Sequence, residues 1–159
     1  MTAPHRLFIE TVWHPAFRYG GWAFVRDIGG GVTGQAGGER NTTAARIDLM
    51  AVIAALSGSA AGPVAIHSAS PGVLTAARLL ASPPAPGSDD APAEDLDLWA
   101  QAIKAGQGRA LTVRAGANAP NTPAAFLHAW AEVGQDKAKG PGRFSAAIPK
   151  SNLAKLTLP

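Results

Sequence analysis

The order of strand-like and helix-like segments constrains the fold of this chain more than any other feature. Three strand patterns come first, and helical and strand patterns alternate after them. The predicted strands are Leu7–Trp13, Trp22–Ile28, Val32–Gly38, Val64–His67 and Ala110–Arg114, and the predicted helices are Ala44–Leu56, Gly72–Ala81, Asp95–Ala105 and Ala124–Val133. Three antiparallel strands followed by such an alternation predict a mixed five-stranded sheet flanked by helices, an α/β fold.

Local signals place several of these elements within the fold. Leu7–Trp13 is apolar on both faces, which is typical of a central strand, and Glu10 is its one charged residue. The glycines of Val32–Gly38 predict a poorly packed edge strand. Thr43 is a candidate N-cap for the first helix, and Ser70 followed by proline is a candidate N-cap for the second.

Length and composition exclude several classes of protein. A chain of 159 residues with 47% hydrophobic and 16% charged residues suits one globular domain rather than a disordered chain. The absence of cysteine excludes disulfides, thiolate zinc sites and a cysteine nucleophile. No apolar run reaches 18 residues, and the N-terminus lacks a signal-peptide layout, so we expect a soluble cytoplasmic protein without a membrane span.

The basic residues concentrate at the C-terminus. Residues 136–159 carry five basic residues and one acid, a net charge of +4, which leaves a net charge of −1 for residues 1–135. We therefore expect a globular domain over 1–135 and a basic tail over 136–159. Such a tail can bind nucleic acid or another acidic partner, or be a solvated terminus. Its apolar residues indicate instead that part of it packs on the domain or on a partner; they are Phe144, Ile148, Leu153, Leu156 and Leu158.

The element order and several short segments resemble the type 1 ribonuclease H family. The segment Arg40–Ala51 is similar, nearly position by position, to the start of the family's first helix. Weaker similarities, which follow in the family's order, are Phe8–Glu10, Gly20–Ala23, Asp95–Trp99 and Val113–Arg114. The resemblance covers about residues 6–134 and implies the ribonuclease H fold.

The resemblance also implies a catalytic site of four carboxylates that hold two divalent metal ions, Mg²⁺ or Mn²⁺. Glu10 and Asp48 occupy the first two positions, each as the opposite carboxylate from the usual one. Alignment places Ala69 at the third position, and Ala125 or Phe126 at the fourth. Because two carboxylates cannot neutralise two divalent ions, we expect weak metal binding and little or no hydrolysis.

The residues that would bind substrate differ from the family pattern as well. The family's minor-groove asparagines are replaced by Ala44 and Ala45, whereas Thr43 remains able to contact a phosphate. The family's basic loop corresponds here to residues 82–95, which contain four acids and no base. The remaining candidate substrate-binding residues are Arg46, Lys137, Lys139 and Arg143.

Other interpretations of these residues stay open. Glu10 is either a metal ligand or a core acid paired with a base such as Arg46, and Asp48 could be a structural acid of the first helical turn. His67 is expected to be a core histidine, and His128 lacks metal-ligand spacing.

The sequence therefore predicts a ribonuclease H-like protein that binds nucleic acid, an RNA–DNA hybrid or another duplex, through an incomplete metal site. One alternative is an active hybrid ribonuclease with an atypical Glu/Asp site. A second is a protein-interaction module within a nucleic-acid-processing assembly.

Overall fold

A computed structural model describes residues 4–159 and contains six strands and five helices in that part of the chain. The strands are β1 (His5–His14), β2 (Tyr19–Asp27), β3 (Val32–Glu39), β4 (Gly62–Ser68), β5 (Arg109–Ala115) and β6 (Arg143–Ala147). The helices are α1 (Ala44–Ser57), α2 (Pro71–Ala81), α3 (Leu96–Gly106), α4 (Pro123–Ala138) and α5 (Lys150–Leu153). Within residues 4–159, no helix is long and apolar enough to cross a bilayer.

All six strands form one mixed sheet in the order β5-β4-β1-β2-β3-β6. The strands β1, β2 and β3 are antiparallel neighbours, whereas β4 lies parallel to β1 and β5 parallel to β4. The predicted mixed sheet, with β1 at its centre, is confirmed. Since β1 and β4 are parallel, their carboxyl ends meet at one edge of the sheet, which positions the candidate site.

Helices cover both faces of the sheet. Side chains alternate along β1, so Leu7 and Ile9 pack with α1, α2 and α3, whereas Phe8 packs with α4 on the other face. By the same alternation, Glu10 follows Phe8 onto the α4 face and Thr11 lies on the α1 face. The two ends of the candidate site are therefore built from opposite faces of one strand.

The prediction of five strands is wrong by one, because β6 lies within the predicted tail. This strand pairs antiparallel with β3, from Gln35 opposite Ala147 to Glu39 opposite Arg143. Its sequence, RFSAA, has no apolar pattern that marks a strand, and its partner is the backbone of β3. The residues that follow return to the core: Ile148 is buried beside Leu127, and Leu153, Leu156 and Leu158 pack against the same cluster.

The expectation that the glycine-rich strand is an edge is also wrong, because β3 has a neighbour on each side. Its glycines allow α4 to approach the sheet closely. A Cβ atom at Gly38 would collide with the carbonyl oxygen of Gly134, and one at Gly21 of the neighbouring β2 would collide with that of Ala131. The glycines therefore mark the surface on which α4 packs.

Candidate functional site

The candidate site lies where the carboxyl ends of β1 and β4 meet α1, α2 and α4. A pocket of about 330 Å³ opens there, and both predicted carboxylates, Glu10 and Asp48, line it. Its other lining residues are Thr11, Val12, Trp13, Ala44, Ile47, Ala69, Ser70, Pro71, Gly72, Asn118 and His128. The topology thus brings together two acids that are far apart in the chain.

Glu10 is only 5% exposed, and its carboxylate is enclosed by the turn between β4 and α2. The backbone N–H of Ala69 donates to Oε2 at 2.8 Å, and the hydroxyl of Ser70 donates to Oε1 at 2.8 Å. Ser68 Oγ lies 3.3 Å from Oε2 and donates its shorter hydrogen bond to the carbonyl of Ile9. Burial raises the pKa of Glu10, and the hydrogen bonds and the nearby His128 oppose this increase.

Asp48 lies on α1 at the opposite side of the pocket. The hydroxyl of Thr11 donates to its Oδ1 at 2.7 Å, and burial raises the pKa of the carboxyl. Its Oδ2 lies against the backbone of Gly72, where any side chain would collide with it. The N–H of Thr11 donates to Ser70 Oγ at 3.2 Å, so Thr11 and Ser70 connect the two acids by hydrogen bonds.

The idea that Arg46 pairs with Glu10 is wrong. Arg46 binds Asp97 and Asp95, at 2.9 and 3.0 Å, on the far side of α1. Glu10 is therefore a buried acid that is satisfied by the Ser70 hydroxyl and the backbone N–H of Ala69. The role expected for Ser70 changes accordingly: it occupies the N-cap position of α2, but its hydroxyl donates to Glu10 and makes no cap hydrogen bond.

The positions expected for the third and fourth acids hold no carboxylate. Ala69 contacts Glu10 through its backbone. At the start of α4, Ala124 lines a second pocket of about 200 Å³ together with Glu10, Phe8, His67 and Pro159. Ala125 and Phe126, the residues predicted for the fourth position, instead line a different pocket, next to Lys155 and Leu156.

The residues present do not fit a two-metal centre. Among residues 4–159, no group of three or more His, Asp or Glu side chains is placed to hold a metal ion. Glu10 accepts hydrogen bonds on both oxygens, and Asp48 accepts one from Thr11. A cation would have to displace these donors, and the pocket offers too few further anionic ligands to compensate.

Sequence reasoning missed several residues of the pocket, among them Thr11, His128 and Asn118. His128 lies one helical turn after Ala124 on α4, and its Nε2 lies 3.2 Å from Glu132. The only sequence signal for His128 was its position four residues after Ala124, which places the two side chains on one face of the helix. Asn118 lies in an irregular loop, where no periodic pattern indicates which way a side chain faces.

The predicted substrate-binding residues lie in different places. Thr43 caps α1 by accepting the N–H of Arg46. Arg46 and Arg143 line one groove of about 410 Å³, and Arg143 binds Glu39. Lys139 binds Asp136 at 3.1 Å, and Lys137 is exposed on α4. Three of the four predicted basic residues are thus already paired with carboxylates.

Comparisons with known proteins identify the fold. No family model matches the sequence, and a search of curated proteins found no similar sequence. Among solved structures, LC9-RNase H1, a type 1 RNase H with the type 2 active-site motif, matches with a TM-score of 0.64 at 17% identity, over 100% of this chain and 88% of that chain.

A second solved structure is the N-terminal RNase H domain of a Mycobacterium tuberculosis protein, fused to maltose-binding protein. It matches with a TM-score of 0.58 at 17% identity, over 84% of this chain and 95% of that chain. The chain therefore has a type 1 ribonuclease H-like fold, and the fold implied by the sequence resemblance is confirmed.

Proposed function

We propose that this protein is a ribonuclease H-like nucleic-acid-binding protein with little or no hydrolytic activity. The observation that carries the proposal is the state of Glu10, which is buried and accepts hydrogen bonds where the fold's enzymes need a metal ligand. The lack of a carboxylate at the predicted third and fourth positions supports the same conclusion. Binding can persist without hydrolysis because it depends on surface charge and shape rather than on metal ligands.

Hybrid cleavage in Mg²⁺ and in Mn²⁺ tests the proposal, with Glu10→Gln as the matched variant. We expect no cleavage by either protein above the level of a buffer control. Metal-dependent cleavage that disappears in Glu10→Gln would overturn the proposal and favour the alternative of an active ribonuclease with an atypical Glu/Asp site. Salt-dependent binding of the uncleaved hybrid, measured in parallel, tests the binding half of the proposal.

One observation favours the second alternative, a protein-interaction module. Leu96 and Ile103 of α3 are 60% and 51% exposed, and with Trp99 they line an apolar groove of about 400 Å³ beside α2. The adjoining loop carries acidic residues, so the partner that fits is an amphipathic helix with basic residues. A protein that binds such a peptide through this groove and shows no salt-dependent binding to any nucleic acid would favour this alternative.

A further inference from the structure

The turn between β1 and β2 carries three aromatic rings in mutual contact. The centroid of Phe17 lies 5.0 Å from that of His14 and 5.7 Å from that of Tyr19, and the Phe17 and Tyr19 planes differ by only 9°. His14 and Tyr19 lie 5.3 Å apart. We call these three residues the aromatic turn. Phe17 and Tyr19 are therefore stacked, whereas the His14 ring is tilted by 38° to Phe17 and by 29° to Tyr19. Another flat ring can be added to such a stack.

The outermost ring of the aromatic turn is open to solvent. Phe17 is 65% exposed, the highest exposure among the large hydrophobic side chains described. The turn is nevertheless anchored, because the N–H of Thr42, just before α1, donates to the carbonyl of Arg18 at 2.9 Å. Arg18 has φ of 52°, a left-handed conformation that is uncommon for a residue with a side chain. An exposed aromatic ring on an anchored turn has a free face on which a flat ligand ring can stack.

Basic groups surround the aromatic turn. Lys139 Nζ lies 4.9 Å from the centroid of the Tyr19 ring, and Arg40 donates to the carbonyl of Lys139 at 3.0 Å. Arg18 is exposed within the turn itself. None of the ion pairs in residues 4–159 includes Arg18 or Arg40, so these two guanidinium groups remain available to an anion.

We propose that the aromatic turn, with Arg18 and Arg40, binds unpaired nucleotides of a single-stranded nucleic acid. A base stacks on Phe17, and the basic side chains contact the flanking phosphates. The proposal rests on the proposed function and names the form of nucleic acid that the protein prefers. A single strand or an unpaired end fits better than a blunt duplex, because paired bases already stack on one another and expose only their edges.

Fluorescence anisotropy with labelled twelve-nucleotide oligothymidine and with a blunt RNA–DNA hybrid of the same length tests this proposal. Stacking on an aromatic ring contributes about 1–3 kcal/mol per base, so Phe17→Ala should weaken oligothymidine binding about 5- to 150-fold. Phe17→Trp should retain binding. Ile28→Ala, which truncates another exposed apolar side chain, should leave it unchanged. Arg18→Gln should reduce the logarithmic salt slope on oligothymidine by about 0.7.

The outcomes separate this proposal from the proposed function. If Phe17→Ala binds oligothymidine like the unmodified protein, the aromatic turn is not the binding site, while binding of the hybrid would still support the proposed function. If the unmodified protein binds the hybrid but not oligothymidine, the preference for unpaired bases is wrong. If it binds neither, both proposals are wrong. Thermal unfolding of each variant confirms that the fold is intact.

Discussion

Glu10 and Phe17 follow each other closely in the chain and lie in opposite physical environments. Glu10 is enclosed, and its oxygens accept hydrogen bonds from Ala69 and Ser70. Phe17 projects into solvent beside a guanidinium group that has no ion-pair partner in the described chain. The contrast indicates where binding capacity lies: a group that is satisfied inside the protein must lose those contacts to bind a ligand, whereas an exposed ring loses only hydration.

The largest effect that we expect is on stability, and it compares a buried side chain, Ile148, with an exposed one, Ile28. Ile148 is 3% exposed and packs under the α4 face near Phe8. Ile148→Ala should lower the free energy of unfolding by about 2–5 kcal/mol in urea denaturation, because it opens a cavity in a packed core. Ile28→Ala, at a residue 48% exposed, is the matched control and should change it by no more than about 0.5 kcal/mol. If Ile148→Ala and Ile28→Ala have the same free energy of unfolding, the segment that contains Ile148 does not pack on the rest of the domain.

The second prediction restores ligands to the carboxylate pocket. Ala69→Asp combined with Ala124→Asp should tighten Mn²⁺ binding at least about tenfold in calorimetric titration, because the two new carboxylates would lie in the two pockets that Glu10 lines. Ala85→Asp combined with Ala93→Asp adds the same charge in an exposed loop and should have no such effect. An equal gain in both double variants would mean that net charge, and not the pocket, attracts the ion. Circular dichroism checks that the fold tolerates Ala124→Asp, which introduces a carboxyl group at a buried position.

The third prediction concerns the pH dependence of stability. Burial raises the pKa of Glu10 above its usual value of 4.5, so the folded state holds its proton more tightly than the unfolded state does. The contribution of Glu10 is therefore most favourable below about pH 4.5 and is lost as the pH rises through the raised pKa. Glu10→Gln should raise the melting temperature at pH 7, and this advantage should shrink as the pH falls toward 4. A variant that is less stable at pH 7 would indicate that the charged form of Glu10 stabilises the fold.

The smallest effect concerns an arginine that the sequence predicted to bind substrate. Arg143 already contacts Glu39, and it is largely exposed, so its ion pair contributes at most about 1 kcal/mol to stability. Arg143→Gln should reduce the salt slope on oligothymidine by less than Arg18→Gln does. Arg143 is already paired with Glu39, so its removal eliminates an ion pair within the protein rather than a contact with a phosphate. If Arg143→Gln has the larger effect, the C-terminal basic residues, and not the aromatic turn, are the main nucleic-acid contact.

Local patterns were sufficient for most of the fold. The apolar β1, the Thr43 cap and the order of elements predicted the mixed sheet, because each is set by neighbouring residues. The pairing of β6 with β3 was not predictable in this way. A strand of polar and small residues is defined by the backbone that it joins, and that partner lies about a hundred residues away in the chain.

The sequence by itself predicted Glu10 and Asp48 as the two acids of the site, Ala69 at the third acidic position and Ala125 or Phe126 at the fourth. Only the tertiary structure decided how those acids are used, because it brings Ser70 and the N–H of Ala69 onto Glu10 and directs Arg46 to Asp95 and Asp97. It also decided that Phe17 stacks with His14 and Tyr19 while remaining exposed. Residue type limits the chemistry that a side chain can perform, whereas its burial and hydrogen-bond partners depend on chain segments that meet only after folding.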